Sequence, residues 1–378
     1  TLVKNDIKVD FLCIVEANNC SKQVSGLDLS DINLIVEPFT HPAIQALTVK
    51  QKYLHVSANM PPSEYWGKMS GIDTEGYLTQ GTVSYMALNT AIKMGCSKII
   101  LVGQDLAYIE GQCYSKDSAY SELECRYNEQ AQKYEVAPKD YEKYRDSLSA
   151  SDDVEIRTKV ATERLKILNK SLYSVKSING TMIPTEAGYA AFIKQFADYA
   201  KTLEGIELIN TSMKGAQING FENITLKDAT QGLPDIDKNV PKVEAGYDIE
   251  KIKVGLSQLE NNLTEFKKVA DDSGKMASRL SINWKRNRNI DKKMLLKIRT
   301  LIENYTKMND TNISGNEVFL YSTTQAEMEL NSLLKTVKTY DMTTTPKVIN
   351  QLSEYYTFIQ KRIDVMLYWT KKSKEGIS

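Results

Sequence analysis

Histidine is almost missing from this sequence: there are two, His41 and His55, in 378 residues. An imidazole-based zinc centre or a Ser-His-Asp triad would have to use one of them, which leaves little room for either chemistry. The five cysteines (Cys13, Cys20, Cys96, Cys113, Cys125) are odd in number and lack any CxxC or Cys/His spacing. They read as reduced thiols of a cytoplasmic protein rather than as a disulfide framework. Long apolar runs are also lacking; Ile99-Ile100-Leu101-Val102 is typical, far short of the roughly 20 residues of a membrane-spanning helix. No signal peptide is recognisable, so a soluble protein without a membrane partner is expected. Nor is there an excess of either charge. Lys+Arg and Asp+Glu both number 48, which gives no general electrostatic case for nucleic acid as a partner.

What is present is ordinary globular material. Apolar residues make up 42% and charged residues 25%, which excludes wholesale disorder, and the length suffices for two domains. The chain opens on Thr1 and runs through Leu2-Val3-Lys4-Asn5 straight toward a strand, so opening elements are expected upstream. Asp10-Phe11-Leu12-Cys13-Ile14-Val15, Ile32–Val36 and Tyr53–Val56 have the continuous apolar character of buried strands. Apolar residues at 83, 87, 88, 91, 92 and 94 form a helical stripe, closed by Gly95 at a helix C′ position. Lys98-Ile99-Ile100-Leu101-Val102-Gly103 is again a strand. This alternation predicts a mostly parallel sheet covered by helices.

Residues 109–175 interrupt the pattern. They are polar and rich in Tyr, Lys, Glu and Asp, and are expected to form helices inserted after the strand. Tyr127, Tyr134 and Tyr141 recur every seven residues, which predicts an aromatic stripe on one helical face; packing on the domain beneath is the plain explanation, a lid over a cleft the sharper one. Thr185 is expected to cap a helix with the stripe Tyr189, Phe192, Ile193, Phe196 and Ala200. Ile206–Asn210 is a further strand, and Thr225 caps a short closing helix. From residue 248 onward the strand signal stops, and Ile252, Leu256, Leu259, Leu263 and Phe266 follow alternating a/d spacing, as do Val348, Leu352, Tyr355 and Ile359. This predicts a helical bundle. The basic run Trp284-Lys285-Arg286-Asn287-Arg288 is best explained as a solvated helix end. The expected organisation is an α/β domain over 1–230 with a helical insertion at about 109–175, a linker over 231–247, and a bundle over 248–378.

The most informative stretch runs from Gln80-Gly81-Thr82 to Gln104-Asp105-Leu106-Ala107-Tyr108. Gly81 and Thr82 open a helix, where unpaired N–H groups and the positive end of the helix dipole meet whatever lies in front. For an isolated Gly-Thr a plain N-cap is the commoner explanation. Gly103-Gln104-Asp105 follows a parallel strand, at the end where open α/β sheets bind ligands. The pattern alone indicates a nucleotide or phosphosugar site and no more.

The residues of 81–108, GTVSYMALNTAIKMGCSKIILVGQDLAY, resemble the central motif of the motility accessory factor (Maf) proteins, flagellin glycosyltransferases of the MptE-like Rossmann superfamily. Val36-Glu37-Pro38-Phe39-Thr40-His41-Pro42 and INTSMKGAQINGFENITLKDA (209–229) are similar to further family motifs, in the expected order. The crossover is more distantly similar to bacterial CMP-sialic-acid sialyltransferases. The resemblance implies a Rossmann-like, sialyltransferase-like fold. It implies transfer of a pseudaminic- or legionaminic-type nonulosonic acid from a CMP-activated donor to Ser/Thr of flagellin, with no cofactor and no metal. By motif, Gly81 and Thr82 would face the donor's carboxylate or phosphate, with Gln80 beside them. Gln104 and Asp105 would face the nucleotide or sugar, Tyr108 and Tyr114 would donate to the leaving phosphate, and Thr40 and Glu16 are further substrate-contact candidates. The family's Gly-Pro-Ser-type nucleotide loop would lie upstream of Thr1. The sialyltransferases' histidine base follows the lid, and no histidine here lies beyond His55. The base stays open between His41 and Asp105. Two alternatives remain: a non-catalytic, chaperone-like flagellin-binding factor, and a pterin pyrophosphokinase-like enzyme using ATP and Mg²⁺.

Overall fold

The computed structural model describes residues 2–113, 123–140, 142, 171–234, 246–310 and 316–377. The chain divides into two compact units: 1–36, 40–53 and 78–241 form the first, and 37–39, 54–77 and 242–378 the second.

In the first unit, β1 (Phe11–Ile14), β2 (Asn33–Val36) and β3 (Gln51–Leu54) form a sheet in the order β1-β2-β3. β1 and β2 are parallel, with Phe11 opposite Asn33 and Ile14 opposite Val36. The central strand β2 is buried along its whole length, which is why its sequence is apolar without alternation. After β2 comes a single helical turn, α1 (Pro42–Gln45).

The helix α3 (Val83–Lys93) buries Tyr85, Met86 and Leu88. It ends in a Schellman motif: Gly95 takes φ +89°, its N–H donates to Ile92 O at 2.9 Å, and Cys96 N–H donates to Ala91 O at 3.0 Å. Only a residue without a Cβ enters that conformation freely, so the glycine fixes the stop. β4 (Lys98–Leu101) follows at once.

The described strands of the insertion after β4 form two hairpins, and most of the segment expected to be helical lies outside the described residues. β5 (Leu123–Asn128) and β6 (Lys133–Pro138) form an antiparallel hairpin, and β7 (Leu172–Lys176) pairs antiparallel with β8 (Met182–Glu186). The seven-residue tyrosine spacing has a different origin from the one expected. Tyr127 and Tyr134 are cross-strand partners, their rings 5.1 Å apart and edge to face, because a short hairpin places i opposite i+7 as readily as a helix places them on one face. Residues 114–122, 141 and 143–170, Tyr114 and Tyr141 among them, lie outside the described residues, as do 235–245 of the expected linker.

The helix α4 (Ala187–Ala200) follows β8 with Glu186, not Thr185, at its N-cap position. The Thr185 hydroxyl donates instead to Leu106 O at 2.7 Å. β9 (Glu207–Asn210) then inserts between β4 and β10 (Glu222–Asn223), parallel to both, with Leu101 opposite Asn210. α5 (Leu226–Thr230) closes the unit, capped as expected by the Thr225 side chain on Asp228 N–H. The architecture is therefore mixed α/β with two parallel sheets, the second wrapped by α3 and α4 around Tyr85, Leu88, Phe196 and Ile218.

The second unit is helical: α2 (Pro61–Ser70), α6 (Ile249–Asn287), α7 (Lys292–Met308), α8 (Asn316–Thr336) and α9 (Thr344–Gly376). Asp248 caps α6 through Lys251 N–H, and the a/d positions Ile252, Leu256, Leu259, Leu263 and Phe266 are all buried. Leu259, Leu263 and Phe266 pack with Val348, Leu352, Tyr355 and Ile359 of α9 in one core. Its buried phenols carry partners: Tyr356 donates to Leu301 O at 2.6 Å, and Tyr355 accepts from Asn309 Nδ2 at 3.1 Å, as buried tyrosines require. The basic run 284–288 sits at the C-terminal end of α6, where cations offset the helix dipole. Segment 54–77, assigned to the N-terminal domain on sequence grounds, clusters with these helices through Tyr65 and Met69.

Gly255 on α6 faces α2: Tyr65 donates to its carbonyl at 3.3 Å, and a Cβ there would lie 2.1 Å from Met69 Cγ. Gly255→Ala gains helix propensity of about 1 kcal/mol, but the overlap falls near the root of the Met69 side chain and overpacking of this kind costs about 1–3 kcal/mol. We expect net destabilisation, read as an earlier urea transition by helical circular dichroism; a later transition would show that Met69 moves aside freely.

Candidate functional site

The crossover between α3 and β4 brings most of the expected residues into one connected region of the first unit. Gly81 takes φ +72° just ahead of α3. A Cβ there would meet only the Phe192 ring edge at 3.7 Å, so conformation rather than space requires glycine. Thr82 occupies the N-cap position of α3, yet its side chain makes no capping bond. The hydroxyl is thus not used in the way the plain N-cap explanation demands; the Thr82 carbonyl accepts from Tyr85 N–H at 3.1 Å. Gln80 is half-buried beside them.

An aromatic row on α4 connects this helix start to the end of β4. Phe192 lies against Gly81, the Phe192 and Tyr189 rings are 6.5 Å apart, and the Tyr189 and Tyr108 rings 5.8 Å. Beyond β4 the chain turns twice through left-handed backbone, at Gly103 (φ +72°) and Leu106 (φ +48°). These two positions bracket Gln104 and Asp105. A buried leucine in this region is unusual and costs about 1–2 kcal/mol. Strain held this way accumulates at functional sites, and here it adjoins Asp105.

Asp105 is gripped from the loop after β9. Ser212 donates its hydroxyl to Asp105 Oδ1, and Ala216 N–H donates to Asp105 O at 2.9 Å. Lys214 on the same loop pairs with Glu110. Gly215 permits the approach, since a Cβ there would lie 2.6 Å from Ser212 Oγ and 2.9 Å from Asp105 O.

Tyr108 is placed otherwise than the resemblance implied. It is 2% exposed, and its hydroxyl donates to Glu186 Oε2 at 2.9 Å. Burial, then the adjacent Glu186 carboxylate, holds its phenol far above the ordinary range; it remains a proton donor, but one aimed at Glu186 rather than at a leaving phosphate. Tyr189 is shifted upward for the same two leading reasons.

The remaining candidates gather at the ends of β1 and β2. His41 N–H donates to Glu16 O at 3.0 Å, Thr40 Oγ1 donates to Ile14 O at 3.1 Å, and Glu16 Oε1 accepts from Asn18 N–H at 2.9 Å. His41 caps α1, its Nδ1 accepting from Ala43 N–H at 3.1 Å. This geometry assigns the proton of the neutral ring to Nε2. As placed, His41 is a hydrogen-bond donor at its open nitrogen, so the expectation that it is a base conflicts with its cap. Thr40 and Glu16 knit two loops together, and nothing in the described contacts joins them to Asp105.

Three residues with roles here were overlooked on sequence grounds. Ser212 and Glu37 both lay inside stretches already noted; Glu37 is fully buried and accepts from the hydroxyls of Ser57 and Ser63 within the second unit. Glu186 gave no signal, because its significance comes from a pairing across 78 residues. Among the described residues, no group of three or more His, Cys, Asp or Glu side chains is arranged to hold a metal ion, and no helix is long and apolar enough to cross a membrane.

Residues 1–111 match the family described as 6-hydroxymethylpterin diphosphokinase MptE-like. The match spans β1 to β4 and stops just past Tyr108, so it includes both ends of the crossover but not the β9 loop or α4. No curated protein matches the chain. The solved structure of a Maf glycosyltransferase from Magnetospirillum magneticum AMB-1 aligns with 99% of this chain and 50% of its own, at 11% identity and a TM-score of 0.45. The chain thus spans about half the length of that protein.

The grip on Asp105 has a direct test. Gly215→Ala forces the loop away from both Ser212 and Asp105, and we expect a loss of about 1–3 kcal/mol in thermal denaturation of the first unit. An unchanged melt would mean that the loop yields at no cost and does not hold Asp105.

Proposed function

We propose that this chain is a cytoplasmic glycosyltransferase that moves a pseudaminic- or legionaminic-type nonulosonic acid from a CMP-activated donor to Ser/Thr of flagellin. The observation that carries the reading is the pairing of an uncapped α3 start at Gly81-Thr82 with the constrained Asp105 at the end of β4. The three motif resemblances at 36–42, 81–108 and 209–229 support the donor and acceptor classes. The first-turn N–H groups of α3 suit the donor's anionic groups. Gln104 and Asp105 suit its nucleotide or sugar hydroxyls, as acceptors held in place by the β9 loop. Gln80 and Thr82 complete the donor side; Thr40, Glu16 and Tyr114 are assigned to it by the resemblance. No cofactor beyond the CMP-sugar is proposed, and flagellin is the proposed protein partner.

The MptE-like match favours a second reading, a diphosphoryl transfer from ATP to a hydroxymethylpterin. A third, flagellin binding without catalysis, would leave the crossover without a ligand.

If the first reading holds, CMP at about 100 times its Kd stabilises the folded chain by about 2.7 kcal/mol, seen as a rise in melting temperature, and Asp105→Ala abolishes flagellin modification while keeping its fold. Release of AMP from ATP in the presence of the pterin would establish the second reading in its place. Flagellin binding that is indifferent to Asp105→Ala, with no CMP effect, would establish the third.

A further inference from the structure

We propose that Glu186 is the carboxylate that takes the proton from the acceptor hydroxyl, and that Tyr108 positions it; this rests on the glycosyltransferase reading. Glu186 stands at the N-cap position of α4, but its side chain makes no capping bond, and glutamate is not among the residues favoured there. The carboxylate is directed toward the crossover instead. Three successive bonds lock its segment to the strained stretch beyond β4. Tyr108 N–H donates to Pro184 O at 2.8 Å, Thr185 Oγ1 donates to Leu106 O at 2.7 Å, and Tyr108 donates through its hydroxyl to Glu186 Oε2 at 2.9 Å. Residues 184–186 therefore follow wherever Leu106 and Tyr108 are held.

The two ends of this contact differ in access. Tyr108 is 2% exposed, whereas Glu186 is half-buried, so the phenol supports the carboxylate from behind. Ala187 and Gly188 are the next two residues, and even a Cβ on Gly188 would lie 3.6 Å from Glu186 Oε1. The titratable groups facing this carboxylate are Tyr108 and Tyr189, with Cys113 near both phenols and Asp105 near Tyr189. Both phenols are pushed up, by burial first, and so remain donors. Asp105 and Glu186 both act on Tyr189, which places two carboxylates along one aromatic edge. One is gripped by Ser212; the other is backed by Tyr108.

The step balances with the proposed substrates. The acceptor oxygen forms the new bond to the anomeric carbon, its proton passes to the Glu186 carboxylate, and the bond from the anomeric carbon to the phosphate oxygen breaks. Its electron pair leaves with CMP. A bond donated by Tyr108 to Oε2 fixes the orientation of the carboxylate.

The test compares the full chain with Glu186→Gln, Glu186→Asp and Tyr108→Phe, using CMP-nonulosonate and flagellin. Glu186→Gln should lower kcat about 10²–10⁴-fold while its melting temperature and CMP-induced shift match the parent, and Glu186→Asp should recover part of the rate. Tyr108→Phe should lower kcat with donor KM unchanged. Transfer by Glu186→Gln at the parent rate overturns the role of Glu186, and an unchanged kcat in Tyr108→Phe overturns its positioning by Tyr108. A parent chain that binds no CMP and transfers nothing overturns the glycosyltransferase reading, and this role with it.

Discussion

Ser212 reaches from the end of β9 and donates its hydroxyl to the Asp105 carboxylate, while Ala216 N–H binds the carbonyl of the same residue. One residue of the β4 exit is thereby held by side chain and backbone together. The rest of the candidate site depends on this grip. β4 and β9 are parallel neighbours, so their exits lie at the same end of the sheet, and a loop from one can fix a side chain from the other without a long detour. Gly215 is the hinge of the arrangement, because a side chain there would occupy the space that the Ser212 hydroxyl needs. From Asp105 the constraint passes through Leu106 and Tyr108 to residues 184–186, and so to the start of α4. Strands far apart in sequence share one fixed geometry.

How much of this could be seen in the sequence follows from which interactions are local. β2, β4 and β9 were legible as apolar runs because strands covered on both faces leave no polar positions. α3 and its stop at Gly95 were legible because stripe and C′ glycine are both local signals. The β5–β6 hairpin was not, and the reason is geometric. A seven-residue tyrosine repeat is compatible with a helix face and with a tight hairpin, and only the pairing of Tyr127 with Tyr134 separates the two. Thr185 misled in a similar way. It is a sound N-cap by type, but its hydroxyl found a partner in Leu106 O, 79 residues away. The crossover residues were identified from local chemistry, whereas Ser212 and Glu186 matter only through long-range partners.

The helical unit obeys the same distinction. The a/d positions of α6 and α9 bury as their spacing requires. The inclusion of 54–77 does not follow from spacing, since α2 is short and carries polar residues on several sides. It rests on Tyr65 and Met69 meeting α6 where Gly255 removes a side chain. A glycine within a helix of 39 residues lowers propensity, and its compensation is this close approach. The signal was present in the sequence, but a lone glycine names no partner.

Leu106 shows how the site's strain is sustained. A left-handed backbone costs an ordinary residue about 1–2 kcal/mol, and glycine at this position would avoid that cost. The leucine is nonetheless 6% exposed and packs in the core with Tyr85, Leu88 and Phe196, and burying such a side chain contributes about 1.5–3 kcal/mol. The burial term is the larger. Its carbonyl also accepts from Thr185, for a further net gain of about 1 kcal/mol. The leucine therefore anchors the turn while the backbone stays left-handed, which a glycine would adopt more easily but hold less firmly. Flanking residues gain from that firmness. Asp105 is presented to the β9 loop on one side and Tyr108 to Glu186 on the other, and neither pairing relies on a flexible hinge. A core contact thus fixes the direction of two polar side chains, and the stability of the first unit and the geometry of its site rest on the same residue.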